Sequence, residues 1–133
     1  LWETIQGLKN GSITPKPQRE EEATYASMLK KEDGRIDWTQ PAKSIERRVR
    51  AYYPWPSAYT YLKGKLLKIY RAAVIAEQAG ALPGEVVRAD KGGLWVVTGA
   101  GILSLEEVQL ENRKRLTGAE FLKGARIEKG EHF

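Results

Sequence analysis

Ala58-Tyr59-Thr60-Tyr61-Leu62-Lys63-Gly64-Lys65-Leu66-Leu67-Lys68-Ile69-Tyr70 is the stretch whose reading decides the fold. Its apolar pattern runs with a period of two, and Lys63-Gly64 between the two halves is a hairpin signal. The first strand is read as 58–62 and the second as Leu66–Ala76. The loop Ala79-Gly80-Ala81-Leu82-Pro83-Gly84 follows. Three more strands are read at Glu85–Ala89, Leu94–Thr98 and Ile102–Gln109, with glycine turns at Asp90-Lys91-Gly92-Gly93 and Gly99-Ala100-Gly101 between them. Five short strands joined by glycine turns predict a mainly β chain, either a small closed barrel or a sandwich. Closure removes exposed edges, a gain for so small a sheet.

Upstream the period changes. Ile45, Val49, Tyr52 and Tyr53 recur at i, i+4, i+7 and i+8, the pattern of an amphipathic helix. Pro41 suits its first turn, Thr39 or Gln40 its cap, and Pro54 and Pro56 stop it. Downstream, Thr117 and Glu120 form a capping box and Leu116 can staple to Phe121, so a short helix is predicted that Gly124 closes. Leu1, Ile5 and Leu8 share one face of a first helix that Asn10-Gly11 ends. So short a helix is marginal alone. Its stripe needs a partner, yet Ile13-Thr14-Pro15-Lys16-Pro17 reads as an extended connector. It is therefore expected to belong to a preceding domain. Glu20–Lys31 is read as another helix, acidic at its start and basic at its end, with Tyr25, Met28 and Leu29 as a thin apolar face. Asp33-Gly34 is a turn signal.

The 133 residues, 41% apolar and 29% charged, have the balance of one globular domain with a modest core. No apolar run approaches the ~18 residues of a membrane span, so no membrane partner is expected. Cysteine is absent, which excludes disulfides and thiolate metal sites and fits a reducing compartment, so a cytoplasmic location is expected. The net charge of +5 and pI near 9.5 favour a polyanion as partner, nucleic acid ahead of membrane.

No catalytic set is present. The only histidine, His132, is next to last and reads as a tail residue. The carboxylates are scattered, and Glu20-Glu21-Glu22 cannot converge on one ion from consecutive helix positions. Gly99-Ala100-Gly101 lacks the following glycine and helix of a dinucleotide turn. Basic residues remain, in three groups: Lys30, Lys31 and Arg35; Lys43, Arg47 and Arg50; Arg113, Lys114 and Arg115. Each group can contact phosphates, with salt-sensitive affinity. They can equally be ordinary surface charges, and Arg50 can pair with Glu46 four residues back. Trp38 and Trp55 bracket the amphipathic helix and are read as its anchors; Trp95, mid-strand, is read as core or barrel lining. Base stacking by these rings is not expected for a folded RNA, whose helices present backbone.

Ile36-Asp37-Trp38, then the helix, then Arg50-Ala51-Tyr52-Tyr53-Pro54-Trp55-Pro56-Ser57-Ala58 resembles the start of the C-terminal domain of methionyl-tRNA formyltransferases. The resemblance extends through Pro17-Gln18 and Ala23-Thr24-Tyr25-Ala26 before it. After it come Pro83-Gly84-Glu85-Val86-Val87, Gly101-Ile102-Leu103-Ser104-Leu105, Val108-Gln109, Arg113-Lys114-Arg115-Leu116 and Glu120-Phe121-Leu122-Lys123-Gly124. It implies an OB-fold-like barrel of five strands with the amphipathic helix before it and a short helix after it. The implied division is 1–12 as the last helix of an N-terminal catalytic domain, 13–35 as linker, 36–130 as a tRNA-binding domain and 131–133 as tail. The implied parent enzyme moves a formyl group from 10-formyltetrahydrofolate to methionine on initiator tRNA. Its catalytic and folate residues lie in the N-terminal domain, so catalytic, cofactor and metal residues are expected to be absent here, as is transferase activity. Carried onto this chain, the tRNA-binding residues are Lys30, Lys31, Arg35, Arg47, Arg50, Arg113 and Lys114. The implied partners are initiator tRNA and the catalytic domain of the same chain, and a monomer is expected. The pattern departs at Met28, where the family often has lysine, and at Asn112-Arg113-Lys114, which replaces Gly-Lys-Lys. The alternatives are a formylfolate hydrolase, a sugar-formylating relative, or a free-standing OB-fold module.

Overall fold

The hairpin forms as read in the computed structural model, which describes residues 1–76 and 80–133. Strand β1 (Ala58–Leu62) pairs antiparallel with β2 (Lys65–Ala76), and Lys63 and Gly64 both take positive φ, 49° and 78°, as a two-residue primed turn requires. Ala79, the first residue of the loop read at 79–84, lies outside the described residues. β3 (Val86–Asp90), β4 (Gly93–Val97) and β5 (Ile102–Leu110) follow within two residues of their expected bounds. The sheet runs β1-β2-β5-β4-β3, all antiparallel. The mainly β architecture is the one expected, with one addition. A sixth strand, β6 (Arg115–Thr117), pairs with Glu107–Gln109 of β5, beyond the point where β4 leaves that edge.

The long strands curl because they bulge. Ile69 and Ala72 of β2 are three apart, as are Val108 and Leu105 opposite them, and irregularities between Ile69 and Ala72 keep both pairs facing inward. Leu67, Ile69, Leu94, Val96, Leu103, Leu105 and Val108 are at most 1% exposed and form the core. Each such side chain contributes about 1.5–3 kcal/mol of burial.

Helix α1 spans Trp2–Lys9 and α2 spans Ala42–Ala51. α2 packs on β2 and β5 through Ala42, Ile45 and Val49, all buried. Pro41 is its cap residue rather than its first helical one, and no side chain caps it. The cap expected from Thr39 or Gln40 is replaced by the β4–β5 turn: the Ala42 N–H donates to the Ala100 carbonyl at 2.8 Å. Thr39 and Gln40 instead donate to Asp37, and these bonds, led by the Thr39 hydroxyl, hold its carboxyl below the usual carboxylate range. Helix α3 spans Gly118–Gly124 and covers the other end of the sheet, with Phe121 and Leu116 in the same apolar cluster.

The expected capping box is present: the Thr117 hydroxyl accepts from the Glu120 N–H, and Glu120 accepts from the Thr117 N–H at 3.0 Å. The Thr117 N–H and then its hydroxyl hold the Glu120 carboxyl below its ordinary 4.5. A depressed folded value means that the carboxylate's contribution is complete above about pH 4.5 and is lost as pH falls through the lowered value. Thr117→Ala should cost about 1 kcal/mol in urea unfolding at pH 7. Glu120→Gln, which removes the titrating group, should flatten the acid limb of stability below pH 4.5, and an unchanged acid limb would show that the Glu120 carboxylate contributes nothing there.

Four expectations are corrected. Glu20–Lys31 is not a helix: only Glu20–Glu22 form a 3-10 turn, and Ala23–Lys30 has no regular structure. Tyr25 and Met28 are 100% and 87% exposed, so the thin stripe finds nothing to bury against, and a helix that short is not stable without burial. Trp38 anchors α2 as read, buried, with its indole N–H donating to Thr60 Oγ1 at 3.2 Å. Trp55 does not: it is 57% exposed. Trp95 lies between the buried Leu94 and Val96, so alternation turns it to the outer face, where the Arg88 guanidinium sits 4.6 Å over its ring. Residues 131–133, read as a tail, are bonded to the sheet: Val86 N–H donates to Glu131 O and Phe133 N–H to Gly84 O, and Phe133 packs on Trp38.

Candidate nucleic-acid interface

At 100° per residue, the buried face of α2 (Ala42, Ile45, Val49) assigns every other position a direction. Glu46, Arg50 and Tyr53 fall on one flank. Ser44 and Arg48 fall on the opposite flank. Lys43, Arg47 and Ala51 point straight out. Arg47, Arg48 and Arg50 therefore fan across the whole outer surface of one helical turn, and all three are exposed. Arg50 pairs with Glu46 at 3.0 Å, as the sequence allowed. Such an exposed pair is worth about 0.3–0.5 kcal/mol and yields readily to a phosphate.

The first flank meets the late basic run. Tyr53 stands edge-on to Tyr70 of β2, with ring centroids 6.1 Å apart, and the Arg115 guanidinium lies 4.2 Å over Tyr70 and 5.8 Å over Tyr53. Glu107 holds Arg115, and that bond, with a smaller contribution from the Tyr53 hydroxyl, raises the pKa of the guanidinium further. The Tyr70 hydroxyl donates to Gln109 Oε1 at 2.7 Å, and Gln109 Nε2 donates to the Arg113 carbonyl at 2.9 Å. Arg113 and Lys114 thus occupy a β5–β6 turn tied to Tyr70 on the flank of α2, with Asn112 at φ 58°. Asparagine is among the residues that tolerate that conformation.

The second flank meets the end of the connector. A narrow cleft is bordered by Arg35, Asp37, Arg48 and Tyr52. Arg35 bridges to Tyr59 through its backbone and sets its guanidinium 5.8 Å from the Tyr61 ring. Lys31 begins a 3-10 turn (Lys31–Gly34) whose last residue is buried on Ser57: a Cβ at Gly34 would lie 2.2 Å from the Ser57 carbonyl oxygen. That close approach pins Lys30, Lys31 and Arg35 beside the chain that leaves α2.

Of the sequence-predicted residues, Arg47 and Arg50 lie on α2 and Arg35 borders the cleft beside Arg48; Arg113 and Lys114 lie in the β5–β6 turn that Gln109 ties to Tyr70, and Lys30 and Lys31 lie at the start of the 3-10 turn before Arg35. Lys43 lies a turn away, at a hollow shared with Pro41, Val74 and Ala100. Sequence reasoning left out Arg48, which helical geometry places between Arg47 and Arg35. It named Arg115 in the late basic run but did not carry it into the tRNA-binding set. Among the described residues, ion pairs engage Arg50 and Arg115 but not Arg47, Arg48, Arg113 or Lys114. No group of His, Asp and Glu that could hold a metal ion occurs among the described residues, and no described helix is long and apolar enough to cross a membrane.

Residues 28–126 match the family described as "Formyl transferase, C-terminal domain". The methionyl-tRNA formyltransferase of Agathobacter rectalis is 46% identical over 98% of this chain and 42% of its own length. That of Geobacter sulfurreducens is 46% identical over 96% of this chain and 40% of its length. The chain thus spans about two fifths of the length of these curated relatives. Among solved structures, a variant of HypX from Aquifex aeolicus superposes with a TM-score of 0.61 at 25% identity, over 96% of this chain and 23% of that one. HypX in complex with tetrahydrofolic acid, at 23% identity and TM-score 0.59, shares the fold. The chain belongs to the formyl transferase family and carries that family's C-terminal domain.

Proposed function

We propose that residues 36–130 are a tRNA-binding domain of a methionyl-tRNA formyltransferase, joined by a linker at 13–35 to a catalytic domain whose last helix is 1–12. The observation that carries this reading is the set of exposed arginines on the outer surface of α2, Arg47, Arg48 and Arg50, with Arg35 across a cleft from Arg48 on one flank and Arg115 over Tyr53 and Tyr70 on the other. Guanidinium and ammonium groups on that surface neutralise successive phosphates, and the counterions released supply most of the affinity. Phosphate contacts orient an RNA without reading its sequence, so this surface holds the tRNA while a separate domain acts on its aminoacyl end. The parent enzyme formylates methionyl-initiator-tRNA from 10-formyltetrahydrofolate in the cytoplasm, and the domain acts as a monomer.

In this reading the folate is held by the catalytic domain. No chemical step is assigned to this chain, and the 133-residue protein should show no formylation of methionyl-tRNA. Formylation by the purified chain would overturn that division of labour.

The test is binding of the chain to initiator tRNA and to an elongator tRNA across a salt series, with a sugar nucleotide and formylfolate as comparison ligands. Affinity falling steeply with salt and differing little between tRNAs supports the reading. Binding of a small ligand without RNA would favour a relative that acts on sugars or folate, a reading that the shared HypX fold keeps in view.

A further inference from the structure

Trp55 is 57% exposed, and its backbone is fixed on both sides. The next two residues, Pro56 and Ser57, are buried. The Ser57 N–H donates to the Tyr52 carbonyl at 2.9 Å, and its hydroxyl donates to the Pro54 carbonyl at 2.7 Å. Gly34 packs against the Ser57 carbonyl from the other side. The indole is thus a large apolar surface presented to water by a rigid turn. Tyr53, two residues earlier, is 56% exposed and has its ring set edge-on against Tyr70 and beside Arg115. Arg47, Arg48 and Arg50 lie on the helix that runs into this turn.

An exposed aromatic surface at the end of a helix that carries three exposed arginines suits a ligand that is anionic at its edge and aromatic in its middle, which describes a nucleotide. Paired bases hide their faces inside the helix, so only an unpaired base, in a loop, bulge or single-stranded end, can lie on such a ring. Stacking adds affinity without base identity, because every base has a π-face.

We propose that Trp55, with Tyr53 beside it, is a stacking platform for an unpaired nucleotide of the bound RNA, set next to the phosphate contacts of α2. This rests on the RNA-binding reading above and adds a second kind of contact to it. Base stacking is not expected where an RNA presents only helix backbone; an unpaired nucleotide is the exception.

The test uses the 133-residue chain with Trp55→Ala and Trp55→Phe, a short single-stranded RNA, and a blunt RNA duplex with the same number of phosphates. Trp55→Ala should weaken single-strand binding by about tenfold. Trp55→Phe should fall between Trp55→Ala and the parent. Duplex affinity and both salt slopes should not move, because no phosphate contact is lost. Single-stranded RNA should quench tryptophan emission in the parent and not in Trp55→Phe. Equal affinity with unchanged quenching would overturn the platform while leaving RNA binding intact. An equal loss on both RNAs would make Trp55 a support for the cations rather than a contact. If the parent bound neither RNA at low salt, the RNA-binding reading would fail, and the platform with it.

Discussion

Replacing Arg47, Arg48, Arg113 and Lys114 together with alanine is expected to weaken tRNA binding about a thousandfold at ~0.1 M salt. The magnitude follows from counterion release: each lost phosphate contact removes about 0.9 from the slope of log K against log salt. Four contacts therefore remove a slope of about 3.6, nearly as many decades of affinity at that salt. The four side chains are exposed and, among the described residues, form no ion pair, so their loss should leave the fold intact. Replacing Lys9, Lys65, Lys91 and Lys129 removes the same formal charge from other exposed positions. That variant should lose far less, because only the long-range field changes. Equal slopes for the two variants would mean that bulk charge, not the α2 surface, holds the RNA. Arg50 and Arg115 are left in place because Glu46 and Glu107 already share their charge.

Gly99→Ala should destabilise the domain by about 3 kcal/mol, a fall in melting temperature of roughly 10 °C. A Cβ there would lie 1.7 Å from the Thr39 carbonyl oxygen and 2.5 Å from its carbon, both backbone atoms. The Gly99 N–H donates to the Trp38 carbonyl at 2.8 Å, and the neighbouring Ala100 carbonyl accepts from Ala42 at the start of α2. The methyl group would push away the segment that seats Trp38 and opens the basic helix. Gly124→Ala is the control, since nothing lies within 4 Å of a Cβ at Gly124. It should be neutral or slightly stabilising. Similar melting of the two variants would show that the β4–β5 turn does not hold α2.

The elements legible from sequence were those whose reason lies within a few residues. Lys63-Gly64 needs two positive φ values and is followed by alternating side chains, both local facts. The Thr117 and Glu120 box is likewise closed within four residues. The same box concealed β6: Leu116 reads as a helix staple, while its pairing with Val108 is a contact across the sheet that no local pattern announces. Glu20–Lys31 failed in the opposite way, since its local pattern is helical but the fold offers its stripe no surface. The candidate site divides on the same line. Three basic groups were visible in order along the chain. Their convergence depends on Gly34 closing on Ser57 and on Arg115 crossing to Tyr53 and Tyr70.

By itself, then, the sequence determined the β character, the helix that carries the arginines and the family resemblance. These follow from periodicity, composition and ordered motifs, which a chain carries without folding. Only the tertiary structure decided that Arg48 joins the basic surface, that Asp37 and the Ala100 carbonyl seat α2, and that Trp55 stays in water. Burial and proximity are properties of which surfaces meet, and surfaces distant in sequence meet only once the strands and helices have packed on one core.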